Sequence, residues 1–244
     1  FWDDAEGSYC DLYGTREQAI SVADGAITQL KRDEVQNEET KKRIAFYEQL
    51  KQKFAAMPDV SKGWITNKNW VISTPIETGI APREKAIALL DKIRKENVGE
   101  YGPYLAANEK NAMMTISTGV QAVAEAKYGR INESLWYVDK IVQTFNRVLP
   151  GSISEMMPDY GDFTQAWTSY GIVVPLVEYV FGVQPDAYAK TIVFEPQLPD
   201  GWNDISVQNL PVGNNVISLS RTKTNKGIEY ALNGSQDNWK MILK

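Results

Sequence analysis

The sequence predicts a mainly α-helical chain, part of an α/α barrel with alternating inner and outer helices, followed after residue 185 by a small antiparallel β domain. Three observations carry that expectation. Apolar residues recur at helical spacing as far as Phe181 and at alternate positions beyond Pro185. Helices that are apolar nearly all round alternate with amphipathic ones. Connections alternate as well: Leu30 to Asn37 and Tyr128 to Asn132 are short, whereas Pro58 to Thr74, Val98 to Thr115 and Val148 to Asp162 are long, so the long ones gather at one end.

Each element has its own signal. Thr15 and Gln18 form a capping box that opens a helix to Leu30, with Ala19, Ile20, Ala23 and Ile27 on its stripe. A second helix, 37–57, carries Ile44, Tyr47, Leu50 and Phe54 on one face and charges elsewhere. A short inner segment is expected over 73–80. Pro82, a natural first-turn residue, starts a helix through Ala86, Leu89, Leu90 and Ile93 to about Asn97. The stretch 115–128 is rich in Gly, Ala and Ser with almost no charged face, and Gly129 ends it. Asn132 is read as the cap of a helix with the stripe Leu135, Val138, Ile141, Val142 and Phe145. The last helix, 162–181, opens on the pair Asp162 and Gln165, is kinked by Pro175 and stops at Gly182. Beyond it the alternating pairs Ile192 and Phe194, Ile217 and Leu219, and Tyr230 and Leu232 read as strands separated by Pro, Gly and Asn.

These elements amount to about seven of the twelve helices in a closed barrel over residues 1–185, with 186–244 as the β domain. An open half-barrel leaves apolar inner helices facing water, so upstream sequence or another copy is expected to cover them. The start at Phe1 rather than Met fits a processed chain or a piece of a longer one.

Composition narrows the chemistry. Among the 244 residues there is no histidine, which removes Ser-His-Asp and Cys-His catalysis and the commonest metal ligand. With Cys10 the only cysteine, an internal disulfide is excluded, and no metal or cofactor is expected. The 31 acidic and 26 basic residues are well mixed, giving a net charge of -5 and making nucleic acid and anionic membrane poor partners. No apolar run is long enough to span a bilayer. Bacterial cytoplasm, periplasm and secretion all stay open. Acid and base work falls to carboxylates.

The stretch Pro150 to Tyr170 delivers Glu155, Asp159 and Asp162 with several aromatics to the start of an apolar helix. Such a loop suits sugar: flat ring faces stack on aromatic rings, hydroxyls need polar partners, and glycosidic cleavage needs one carboxyl as acid and another as base or nucleophile. The bland alternatives stand beside this. Asp162 fits a helix cap, while Glu155 and Asp159 fit solvated loop charges. Glu77 is the other carboxylate expected near the pocket, with a capping role as its alternative. Trp70, Tyr104 and Trp167 lie on the expected rim as sugar platforms or as core; Trp64 and Tyr101 fit packing better, and Trp136, Trp202 and Trp239 fit structural roles.

Pro150-Gly-Ser-Ile-Ser-Glu155, followed by Gln165-Ala-Trp167, resembles the bacterial glycogen-debranching type of amylo-α-1,6-glucosidase and is similar to glucoamylases and α-L-rhamnosidases, all six-hairpin glycosidases. Ile116-Ser-Thr118-Gly-Val120 resembles a turn that opens an inner helix in rhamnosidases, and Phe181 to Ala187 with Phe194 to Pro199 resembles their exit into a terminal β domain. The resemblance implies an inverting, exo-acting glycoside hydrolase with Glu155 as general base, cleaving α-linked glucosyl or rhamnosyl units from oligo- or polysaccharides. Rim position and resemblance together give the expected substrate contacts as Glu77, Trp70, Tyr104, Thr118, Asp159, Gln165 and Trp167. It also puts the general acid far upstream of the base, before Phe1, so the upstream half of the enzyme is an expected partner. Ser154 stands where rhamnosidases have Trp, and their following His is absent. A non-catalytic carbohydrate-binding or scaffold fragment is the competing reading, and phosphorolysis or epimerisation a weaker one, with no basic cluster for phosphate.

Overall fold

A computed structural model of the chain describes residues 1–32, 37–234 and 238–244. The expected short connection from Leu30 to Asn37 therefore lies mostly outside the described residues. Strands β1 (Trp2–Asp3) and β2 (Ser8–Tyr9) pair antiparallel, and β3 (Leu12–Gly14) leads into α1 (Arg16–Arg32). The capping box forms as expected: the Thr15 amide donates to Gln18 Oε1 at 2.8 Å and the Gln18 amide to Thr15 Oγ1 at 3.2 Å. Helix α2 (Glu38–Ala55) is capped by Asn37, whose Oδ1 accepts from the Thr40 amide at 2.9 Å. Ala23, Ile27 and Leu30 meet Tyr47 between the two helices.

Strand β4 (Lys62–Trp64) pairs with β3, and the buried Trp64 indole donates to the Gly14 carbonyl at 2.9 Å. A 3-10 turn, Trp70–Ser73, continues into α3 (Thr74–Glu77), which is the short segment expected there. Helix α4 (Arg83–Glu96) buries Ala86, Leu89, Leu90 and Ile93 against Ile72 and Ile76. Then come β5 (Val98–Gly99), β6 (Gly102–Ala106) and β7 (Glu109–Met114), joined by β8 (Met156–Met157) in one four-stranded sheet. Helix α5 (Thr115–Lys127) is buried along its length except at Lys127, and α6 (Ile131–Val142) runs beside it.

Helix α7 (Tyr170–Val174) follows a 3-10 turn, Ala166–Ser169, and is followed by a π-helical turn, Pro175–Val180. The chain ends in β9 (Val183–Asp186), β10 (Thr191–Phe194), β11 (Ile205–Val212), β12 (Asn215–Thr224), β13 (Gly227–Gly234) and β14 (Lys240–Leu243). These form an antiparallel meander, β11-β12-β13, and a mixed sheet, β14-β10-β9, in which β10 and β14 run parallel. Val183, Ile192, Phe194, Val212, Ile217 and Leu219 fill the core between the sheets, and Val177 and Phe181 reach into it.

The expectation of a mainly α, (α/α)6-barrel segment is corrected. The described chain is 41% helix and 27% strand, with seven helices and five small sheets. The segments read as rim loops at 58–74 and 98–115 contain strands. They were hard to see because Gly102-Pro-Tyr-Leu-Ala106 and Glu109-Lys-Asn-Ala112 lack the β-branched residues that usually mark strands. The expected single helix over 162–181 is three short turns. Pro175 has no N–H to give the α ladder, and the winding widens after it, with the Phe181 amide donating to Leu176 O, five residues back, at 2.8 Å.

The helix caps expected at Asp162 and Asn132 are also corrected. Asp162 Oδ1 accepts from the Thr164 amide at 2.9 Å, closing a local turn ahead of the helix. Asn132 lies inside α6, where it exchanges two hydrogen bonds with Asp200, at 2.8 and 2.9 Å. Nor does α5 await a cover. Its neighbours α3, α6, α7 and β6 belong to the same chain.

Helices α5 and α7 touch backbone to backbone. A Cβ on Gly171 would lie 2.3 Å from the Gly119 Cα, and one on Gly119 would lie 3.2 Å from the Gly171 Cα. Two glycines are what this crossing requires.

Candidate functional site

A cavity of about 630 Å³ opens beside α5 and α7 and has the size of a small-molecule site. Ile116, Val120, Val173 and Val174 make its apolar wall, Trp70 and Trp167 line it as well, and Glu77, Ser169 and Tyr170 are its polar members. Trp167 is 62% exposed and Trp70 37%, so both rings present a face to solvent. Glu77 ends α3, and its Oε1 accepts from the Tyr170 hydroxyl at 2.7 Å. Burial first, then the Glu77 carboxylate, push the Tyr170 phenol far above its ordinary range, so it stays a hydrogen-bond donor. Among the described residues no hydrogen bond engages Glu77 Oε2.

A second cavity, about 440 Å³, adjoins the first, with Ser169 lining both. The 150–153 turn, Phe145 and Thr164 to Ala166 enclose it. Phe145, expected on the core stripe of a helix, lies past the end of α6 and is 37% exposed. Gln165 is 5% exposed, and its Oε1 is buried without a hydrogen-bond partner among the described residues. An acceptor left so costs about 1–3 kcal/mol, which marks the position as unusual.

Glu155 lines neither cavity. Its loop is tied to the start of α5: the Thr115 amide donates to Glu155 O at 2.9 Å, and Thr115 Oγ1 donates to Ser154 O at 2.9 Å. The Glu155 amide donates to Asp162 O at 2.7 Å, and the returning Asp162 amide donates to Glu155 Oε2 at 3.1 Å. Gly161 makes room for that carboxylate, since a Cβ there would fall 2.6 Å from Glu155 Oε2. The side chain is partly exposed, so the other carboxylate oxygen is free to face a ligand or water.

The remaining expected contacts fall elsewhere. Asp159 is clamped by Arg147, at 3.0 Å from Nε and 2.8 Å from Nη2, and the guanidinium holds its carboxyl below the usual carboxylate range. Thr118 is fully buried and donates to Tyr101 O at 2.9 Å, a packing role. Tyr104 lies on β6 beside Lys110, away from both cavities. The structure thus gathers Trp70, Glu77 and Trp167 around one cavity and Gln165 at the next, and separates Tyr104, Thr118 and Asp159 from them. Of the tryptophans read as structural, Trp239 packs on the β core, whereas Trp202 is 50% exposed.

Sequence reasoning missed Tyr170, Phe145 and Glu125. Glu125 sits in α5 with no exposure at all, 2.7 Å from Arg130 Nε, and burial drives its carboxyl up to about 7 against the pull of Arg130. A lone acidic residue, Glu125, in a helix whose other charge is the terminal Lys127, with Arg130 just past Gly129, was the available signal.

Among the described residues no group of His, Cys, Asp and Glu gathers as a metal site, and no helix is long and apolar enough to cross a membrane. No protein-family model matches the chain, and a search of curated proteins finds no match.

Proposed function

We propose that the chain is part of a glycoside hydrolase that binds an oligo- or polysaccharide at the Trp70, Glu77 and Trp167 cavity and cleaves an α-linked glucosyl or rhamnosyl unit by inversion. The observation that carries this reading is the pair of exposed tryptophans that line a largely apolar cavity together with a carboxylate: aromatic faces take a sugar ring, and the carboxylate takes its hydroxyls. The Gly-Ser-Ile-Ser-Glu segment adds Glu155 as general base, by its resemblance to amylo-α-1,6-glucosidases. In this mechanism Glu155 removes a proton from water as the water oxygen bonds to the anomeric carbon. The glycosidic oxygen leaves with a proton from a carboxylic acid supplied by the upstream half of the enzyme.

The test is turnover of aryl α-glucosides and α-rhamnosides by the full-length enzyme and its Glu155→Gln variant. A loss of about 10² to 10⁴-fold in kcat is expected; wild-type turnover by the variant ends the assignment. A non-catalytic carbohydrate-binding role is the second reading. It is favoured by one observation, that Glu155 lines neither cavity and already accepts from the Asp162 amide. Saccharide binding without hydrolysis of any substrate would decide for it.

A further inference from the structure

We infer that Ser117 and Gln121 of α5 bind one ordered water molecule inside the fold, and that this site holds the turn carrying Trp70 in place. Ser117 is 2% exposed and Gln121 1%, yet among the described residues Ser117 Oγ and Gln121 Nε2 have no hydrogen-bond partner. The two residues stand four apart on α5, so they share one face of the helix. Both line a cavity of about 10 Å³, the size of a single water molecule, together with Asn69, Asn97 and Tyr104. A sugar does not fit there. Leaving a buried donor unsatisfied costs more than a hydrogen bond gains, and a water molecule offers an oxygen to the Gln121 amide and either an oxygen or a proton to the Ser117 hydroxyl. Gln121 is already tied on its other side. Its Oε1 accepts from Ser73 Oγ at 3.1 Å, and Ser73 ends the 3-10 turn that Trp70 begins. Trp70 itself lines this small cavity as well as the one of about 630 Å³. Glu125 lies one turn further along α5; burial raises its carboxyl and Gln121 pulls weakly the other way, but no hydrogen bond joins Gln121 Nε2 to that carboxylate. The water thus completes a chain from Ser117 through Gln121 to Ser73, and so to the turn whose first residue faces the large cavity.

A crystal structure of the full chain tests the site directly. One water peak within about 3.2 Å of both Ser117 Oγ and Gln121 Nε2 is expected. No peak there, or a Gln121 amide turned onto a protein partner, overturns the site. Hydroxyl-radical labelling read by mass spectrometry tests the hold on Trp70. The net worth of one hydrogen bond is a factor of about 2 to 10 in a local equilibrium, so Ser117→Ala and Gln121→Leu should each raise labelling of Trp70 by about that factor while Trp202 keeps its rate. Ser134→Ala is the control for a merely structural loss: Ser134 is as deeply buried, at 1% exposed, but donates to Ala122 O at 2.7 Å and lines no part of this cavity. It should leave Trp70 labelling unchanged. Circular dichroism checks that each variant is folded, and should Gln121→Leu fail, Ser117→Ala carries the comparison. Trp70 labelling that rises equally in Ser117→Ala and Ser134→Ala, or in neither, overturns the hold on the turn.

Discussion

Glu125 and Glu77 sit on helices that touch, α5 and α3, yet their surroundings are opposite. Glu125 has no exposure, faces Arg130, and has its carboxyl driven up to about 7; no cavity opens beside it. Glu77 lines an open cavity together with two exposed tryptophans, with one oxygen held by Tyr170. Perturbed ionisation is a common guide to functional sites, but structural ion pairs perturb it too, and here the strongest carboxylate shift marks the interior of the fold. The region around α5 is closed, whereas the stretch from Phe145 to Tyr170 lines two open cavities. Substitutions should therefore separate the two: stability lost in the first, binding or turnover in the second.

The largest expected effect is a pH dependence that belongs to the closed region alone. Glu125 faces Arg130, Arg94, Glu133 and the buried Tyr137 hydroxyl, with Asp91 pairing the far side of Arg130 at 2.6 Å. Its folded carboxyl is raised to about 7 from an ordinary 4.5, so the folded state holds the proton more tightly. That stabilising contribution is complete below pH 4.5 and is lost as pH rises through 7, because the unfolded chain ionises first. At about 1.4 kcal/mol per unit, the swing is about 3 kcal/mol. Urea midpoints at pH 5, 6, 7 and 8 for the wild type and Glu125→Gln measure it. The wild type should lose ground to the variant from pH 5 to 7 and level off by pH 8, and a constant difference throughout would contradict the raised carboxyl.

Next in size is the α5 and α7 crossing. In Gly171→Ala the new methyl meets the Gly119 Cα at 2.3 Å, a backbone atom with nowhere to retreat, and Ile141 Cδ1 at 3.0 Å. Overpacking of this kind costs about 1–3 kcal/mol, read as a lower thermal midpoint. Because α7 leads from the Trp167 turn, the same variant should disturb the cavity. Gly151→Ala, with open space around its Cβ but a positive φ, should be milder.

These regions were unequally legible in the sequence. Helices α1 and α2 announce themselves because a capping residue and an apolar stripe agree, as Thr15 with Ala19, Ala23 and Ile27 do. Strands β6 and β7 do not, since their residues are poor strand formers and pairing with each other and with β8 decides the outcome. The run 162–181 shows the opposite error: apolar residues promise one helix, but the missing donor at Pro175 changes the winding after α7. Residue type together with a place on the expected rim pointed to Glu77, Trp70 and Trp167, because long connections at one end of such a fold carry the residues that face a ligand. That Asp159 is spent on Arg147 depends on a residue twelve positions away, and nothing local signals it.

The smallest effect concerns that pair, and it tests whether the open region is as independent of stability as the comparison requires. Arg147 and Asp159 lie at the surface, with side chains 37% and 21% exposed, joined by a two-pronged contact. Exposed pairs contribute about 0.2–1 kcal/mol and weaken in salt. Asp159→Asn should therefore lower the free energy of urea unfolding by less than about 1 kcal/mol, and by less still in 1 M salt. The pair also braces the 154–162 loop, since Ser154 Oγ reaches Asp159 Oδ1 at 3.4 Å and Glu155 follows directly. If the open region serves turnover, Asp159→Asn should reduce kcat of the full-length enzyme on aryl glycosides more than its small stability loss accounts for. A fall in stability well beyond 1 kcal/mol with kcat unchanged would make this loop part of the closed region instead.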